Sequence, residues 1–224
     1  MTQDQLIMVR KHLDDVSRID LPPGYAIRYY IDGDDERLER VFQECFDPGW
    51  SRDRIVKTFI ESPVWSPNRM CVLTSGDEVV GTATAWEHPS RPNHGLVHYV
   101  AVLPTHRGRR LGSALVARVL ELLGSIGYPD AWLSTDDFRL PAIRVYLALG
   151  FEPVYVDAQH RERWEIVRLA GVVECRAVAA DGAADRAAVY QHPAAAWIRL
   201  DCHALHQPAA ESRAVAWNTV NVLG

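Results

Sequence analysis

Apolar residues recur at two spacings along this chain, and the changes between them mark out its elements. Leu111, Leu115, Val116, Val119, Leu120, Leu122 and Leu123 fall on one helical face. They predict an amphipathic helix running to about Ser125 and stopped by Gly127. The apolar run from Leu96 to Leu103, ended by Pro104, predicts the strand before it. Further upstream, Tyr25 to Ile31 alternates and is rich in aromatic and β-branched residues, so it predicts another strand. Asp34 is expected to cap a helix carrying Leu38, Val41, Phe42 and Cys45, and Ser51 to open a second with Ile55, Phe59 and Ile60. Met70 to Thr74 and Val79 to Trp86 predict a hairpin turning at Ser75-Gly76-Asp77. Downstream, Ala131 to Thr135 predicts a strand and Ala142 to Leu149 a helix closed by Gly150. Glu152 to Val156 and Arg163 to Leu169 are expected to form a final strand pair.

The two ends read differently. Residues 1–23 are polar and end at Pro22-Pro23, so they are expected to be an N-terminal extension with a short helix at Gln5–Val16. Beyond about Gly171 the periodicity fades, and Pro193 interrupts the stretch from Asp185 to Ile198. Residues 171–224 are expected to be an irregular, poorly ordered extension, with Trp197 and Trp217 as anchors if any part of it packs. The fold class that follows is α+β, with a domain over residues 24–170.

Charge changes the picture at one place. The chain has 224 residues and a net charge of -5, which argues against a general nucleic-acid binder. Yet Arg107, Arg109 and Arg110 cluster with Gly108 and Gly112 where a strand passes into a helix. A helix N-terminus presents unpaired N–H groups and the positive end of the helix dipole, which suits a phosphate anion. The segment has neither the Lys-Ser of a Walker loop nor the three spaced glycines of a dinucleotide fingerprint. No apolar run spans a bilayer, and the N-terminus lacks a signal-peptide pattern, so a cytoplasmic protein without membrane contact is expected. Four cysteines without CxxC spacing read as reduced thiols rather than as a disulfide frame. No metal site is expected: His94 and His98, four apart on a strand, stand roughly 13 Å from each other.

The stretch Arg107 to Ser113 resembles the pyrophosphate loop of the GNAT superfamily of acyl-CoA-dependent N-acyltransferases, whose pattern is Arg or Gln, two residues, Gly, one residue, Gly or Ala. Arg107 fills the first slot and Gly112 the last, while Arg110 occupies the slot usually held by glycine. A second segment, Ala142 to Phe151, resembles that family's late helix, with Tyr146 four residues before Gly150-Phe151. The order of elements from Gly24 to Leu169 also matches the GNAT fold, a mixed sheet of about seven strands flanked by helices.

The resemblance implies acetyl-CoA as co-substrate and direct attack by an amine. Arg107, Gly108, Arg109, Arg110, Leu111, Gly112 and Ser113 are expected to hold its diphosphate, and the backbone of Val100, Ala101 and Val102 its pantetheine. Tyr146 is the expected acid toward the leaving sulfur, and the Val102 N–H the expected oxyanion donor. Arg139 stands where the family often has Asn, and reads either as a phosphate contact or as a surface charge. His98 is the first candidate for general base, because strand alternation would place it on the face of Val100 and Val102. His94, Glu87 and His88 follow it. Phe46, Trp50, Trp65, Tyr155 and Trp164 are candidates to line the acceptor site. The implied function is N-acetylation of a small-molecule or peptide amine, with a homodimer left open. The alternative is a catalytically silent CoA-binding module that regulates or scaffolds.

Overall fold

A computed structural model describes residues 5–171 of the chain. Its elements in order are β1 (Leu6–Arg10), β2 (Tyr25–Tyr29), α1 (Asp34–Cys45) and α2 (Arg52–Ile55), which runs into a π-helical turn at Val56–Ile60. Then come β3 (Met70–Ser75), β4 (Glu78–Glu87), β5 (Gly95–Val102) and α3 (Leu111–Ile126). β6 (Ala131–Thr135), α4 (Leu140–Ala148), β7 (Glu152–Val154) and α5 (Ala158–Leu169) complete them. The strands form one seven-stranded sheet ordered β2-β3-β4-β5-β6-β1-β7. β5 and β6 run parallel and the other recorded pairs antiparallel, so the sheet is mixed and the class is α+β.

Local chemistry explains most boundaries. The Ser51 side chain accepts the Arg54 N–H at 3.3 Å and starts α2. Gly127, at φ 102°, takes the left-handed conformation that closes α3. Gly150, at φ 81°, does the same for α4, and the Phe151 N–H returns to the Tyr146 carbonyl at 3.0 Å. Asp34 differs from expectation: Gly33 holds the cap position of α1, and the Asp34 carboxylate is buried against Arg28, with Nη2 to Oδ1 at 2.8 Å.

Two expected elements are of the other kind. Leu6 to Arg10 lies within the stretch expected to be helical, but forms a strand buried at every position and paired with β6 on one side and β7 on the other. A strand buried on both faces shows no alternation, so its apolar run does not separate strand from helix. The stretch read as an N-terminal extension therefore supplies an interior strand of the sheet. Arg163 to Leu169, expected to be a strand, belongs to α5. The buried positions of α5 are His160, Arg163, Trp164 and Val167, a helical spacing disguised because two of the four are polar. Asp157 caps this helix, accepting the His160 N–H at 2.8 Å. The expectations for residues 172–224 lie outside the described residues.

Helices α1 and α3 both pack on β4 and β5, and β5 is buried along its whole length. One part of the core is aromatic. Phe42 stands 4.6 Å from Trp50, 5.6 Å from Phe59 and 5.5 Å from Tyr99, ring centre to ring centre. Each such buried ring contributes roughly 1.5–3 kcal/mol. This cluster ties α1, the loop before α2 and the π-helical turn to the middle of β5.

Candidate active site

The segment between β5 and α3 leaves a row of backbone donors without backbone acceptors. A 3-10 turn at Pro104–His106 closes through the Arg107 N–H, which donates to the Pro104 carbonyl at 3.3 Å. Gly108 at φ 75° and Arg110 at φ 61° then adopt the left-handed conformation. The first α3 bond runs from the Ala114 N–H to the Arg110 carbonyl at 3.0 Å. Among the described residues, no amide from Gly108 to Ser113 donates to a backbone carbonyl outside the regular elements. Gly108, Arg109 and Arg110 are exposed, and Leu111 is buried as the first core residue of the helix. The αL slot expected to need glycine is thus filled by Arg110 in the same conformation, at a cost of roughly 1–2 kcal/mol. Arg109 folds back over the loop, its Nη1 donating to the Thr105 carbonyl at 2.9 Å.

The strand leading into this loop is irregular. His98 pairs with Thr84 and Ala101 with Thr82, so Tyr99 and Val100 together stand opposite Ala83. Tyr99 takes φ 48°, which makes this a β-bulge with one extra residue in β5. The bulge resets the alternation. Across antiparallel pairs the residues share a face, so His98 lies on the Ala101 side and Val102, opposite Gly81, on the other. The expected common face for His98 and Val102 is therefore not found. The Leu103 N–H donates to the Val80 carbonyl at 2.9 Å, and in an antiparallel ladder the N–H and C=O of Val102 then project away from β4. They face the side where β6 would pair. Yet β5 and β6 pair only at Gly95 with Ala131 and Leu96 with Trp132. Beyond Leu96 the two parallel strands separate, and the backbone edge of Val102 faces the gap.

Tyr146 comes from α4. It is fully buried, packs edge-on to Phe151 at 5.9 Å, and its hydroxyl has no hydrogen-bond partner among the described residues. Burial raises its pKa far above the ordinary value, opposed only by the Arg139 charge. An unpaired buried hydroxyl costs on the order of 1–3 kcal/mol. Arg139 is not an open surface charge. Its Nε donates to Asp136 at 2.7 Å and its side chain is mostly buried at the start of α4.

A protein-family model described as the acetyltransferase (GNAT) family matches residues 36–151, from α1 through the loop and α4 to Phe151. The chain belongs to the GNAT acetyltransferase family.

Among curated relatives, an 84-residue stretch is 37% identical to N-acetyltransferase 8B of Rattus norvegicus, covering 36% of this chain and 38% of that protein. A 156-residue stretch is 32% identical to the mycothiol acetyltransferase of Saccharomonospora viridis, covering 63% of this chain and 50% of the other. The chain spans about half the length, or less, of these relatives. A solved GCN5-related N-acetyltransferase from Sphaerobacter thermophilus superposes at TM-score 0.57 with 23% identity, over 68% of this chain and 50% of that one. The ribosomal-protein-S18-alanine N-acetyltransferase from Escherichia coli superposes at TM-score 0.50 with 19% identity, over 58% and 79% of the two chains. At these identities the structures share the fold.

Within this GNAT domain the other sequence candidates separate. His98 is 1% exposed, with the Trp86 ring stacked 6.5 Å away and the Tyr99 ring 4.1 Å away. Burial, helped by His88, lowers its pKa to about 3, so it stands as a neutral imidazole and a weak base. His94 is paired with Asp130 at 2.8 Å, Glu87 accepts from the Tyr128 hydroxyl, and His88 contacts Ser90 at 2.6 Å. Of the aromatic candidates, Phe46 and Trp50 belong to the core cluster, Trp65 packs edge-on to Tyr30, and Trp164 is buried in α5. Tyr155 is exposed beside a hollow of about 670 Å³ lined by α5 residues, none of them from the loop. The buried acids Asp34 and Asp35 are held by Arg28 and Arg52. Among the described residues no group of three or more His, Cys, Asp or Glu could hold a metal ion, and no helix is long and apolar enough to cross a membrane. Sequence reasoning missed the bulge, because the left-handed residue is Tyr99 and not a glycine, and it missed the Thr84 hydroxyl, which is buried opposite His98 without a partner.

Proposed function

We propose that the chain is an N-acetyltransferase that carries an acetyl group from acetyl-CoA to the primary amine of a small molecule or peptide. The observation that carries this reading is the row of amides from Gly108 to Ser113 at the start of α3, beside the gap between β5 and β6. These donors and the nearby arginines suit a diphosphate. The backbone edge of β5 that faces the gap, with the Val102 N–H on it, suits an extended amide chain lying along the strand.

Direct attack then needs few groups. The amine nitrogen bonds to the thioester carbon, the carbonyl oxygen gathers charge, and the carbon–sulfur bond breaks. In this reading the Val102 N–H donates to that oxygen. Tyr146 presents its unpaired hydroxyl to the leaving sulfur. A thiol of pKa about 8.5 needs little protonation near neutrality, so a hydrogen bond from a weakly acidic tyrosine is enough. The amine proton leaves to solvent, because a His98 of pKa about 3 holds a proton poorly at neutral pH. In this reading His98 lines the strand near the bulge. The enzyme acts in the reducing cytoplasm, where the buried Cys45 and Cys71 remain thiols.

The test is direct. The full chain is mixed with acetyl-CoA and a panel of amines, and released thiol is followed with a dye while CoA binding is measured by calorimetry. Saturable binding with amine-dependent thiol release supports the enzyme. Binding without release from any amine selects the silent CoA-binding module, and absence of both removes the phosphate-loop assignment.

A further inference from the structure

Arg107 does more at this site than add charge. Its Nε donates to the Val102 carbonyl at 3.0 Å. The Cys45 thiol, at the end of α1, donates to the same oxygen at 3.4 Å. One carbonyl therefore joins the last residue of β5, the first residue of the loop and the last turn of α1. In a strand the C=O and N–H of one residue project from the same edge. A group that holds the Val102 carbonyl therefore restrains the strand edge on which the Val102 amide also lies.

We infer that Arg107 is a positioning residue coupling occupation of the phosphate loop to the orientation of the Val102 backbone. The inference rests on the proposed acetyl-CoA reading and deepens it. Arg107 sits half-buried directly before the unpaired Gly108 amide, with one N–H of its guanidinium already committed to Val102. The guanidinium is planar and rigid, with five donors. A diphosphate held at the loop that engages the remaining donors restrains the whole plane, and through Nε it restrains Val102. A lysine at this position keeps the positive charge but has no rigid second edge, so it would bind phosphate without transmitting the restraint.

Two measurements separate this from a simple charge effect. The first follows hydrogen exchange of the Val102 amide by NMR on addition of ADP, which carries a diphosphate but no pantetheine to touch the strand. Exchange is expected to slow by about tenfold in the wild type and to change little in Arg107→Lys. Equal slowing in both proteins, or none in the wild type, overturns the coupling. The second compares acetyl-CoA with acetyl-pantetheine as donors. Arg107→Lys should lower kcat with acetyl-CoA by about tenfold while KM stays within about threefold, and should lower turnover of acetyl-pantetheine, which carries no diphosphate, by a clearly smaller factor. A raised KM with intact kcat would make Arg107 a plain phosphate contact, and an equal loss with both donors would make it a structural brace. The exchange measurement does not depend on turnover, so a chain that binds ADP but acetylates no amine loses the proposed activity without losing the coupling.

Discussion

Gly81 and Ala101 approach so closely across β4 and β5 that a Cβ at residue 81 would stand 2.5 Å from the Ala101 carbonyl oxygen. The obstacle is backbone, so it cannot rotate away. The contact sits beside the bulge, where β5 carries its extra residue. Gly81→Ala is expected to lose roughly 1–3 kcal/mol of stability, the usual cost of overpacking, and to shift β5 near Val102. Denaturant titration checks the first effect and the KM for acetyl-CoA the second. An unchanged unfolding midpoint would show that the strands separate without strain.

Tyr146→Phe divides stability from turnover. The variant removes a hydroxyl that has no partner among the described residues, so the midpoint of unfolding should stay the same or rise. Turnover should fall by about 10²-fold if the hydroxyl serves the leaving sulfur, with CoA affinity within about threefold. Thermal unfolding and a thiol-release assay read the two effects separately. Full activity in the variant would assign the sulfur to another donor.

Arg110 at φ 61° and ψ 13° stores strain that glycine would not. Arg110→Gly is expected to gain about 0.5–1 kcal/mol in stability. The same change removes one charge from the loop, so CoA should bind several-fold more weakly at low salt, with the difference shrinking as salt rises. Calorimetry at two ionic strengths checks this. A destabilised variant would mean that the Arg110 side chain makes a contact that outweighs the backbone cost.

His98 sets a pH dependence with a definite sign. Burial lowers its pKa from 6.5 to about 3 in the folded chain, whereas the unfolded chain takes up a proton near the ordinary value. The unfolded state therefore binds more protons between these limits. The stability contributed by the neutral ring is present above about pH 6.5 and is lost as pH falls toward 3, by up to about 1.4 kcal/mol per pH unit. Stability curves measured between pH 4 and 7 should be flatter in His98→Gln than in the wild type. Parallel curves would place the lost protons on other groups.

The parts of the fold that could be read in advance are those whose chemistry is local. The α3 stripe, Gly127, Gly150, Ser51 and the Ser75-Gly76-Asp77 turn each act within a few residues, and each holds its expected place. The misread parts depend on distant partners. Leu6 to Val9 is a strand because partners from the far end of the described chain pair with both of its edges, and it is apolar because it is buried on both faces. α5 hides its helical stripe because Arg163 is buried against Asp137 and His160 reaches the Gln5 carbonyl, contacts no local pattern announces. The site divides the same way. The left-handed turn into α3 and the helix carrying Tyr146 were legible as local structure, but the Tyr99 bulge that separates His98 from Val102 is a matter of strand register, and the Asp136 contact of Arg139 is a matter of packing.

The interior place of β1 has a consequence for how the chain is made. Leu6 must find Thr135, and Ile7 must find Val154, so the sheet cannot knit together until nearly all of the described chain has been synthesised. Such long-range pairing slows folding and leaves β6 and β7 with bare edges in the meantime. Deleting residues 6–10 would make that interim condition permanent, and the truncated chain should self-associate during expression even though every residue of the phosphate loop is intact.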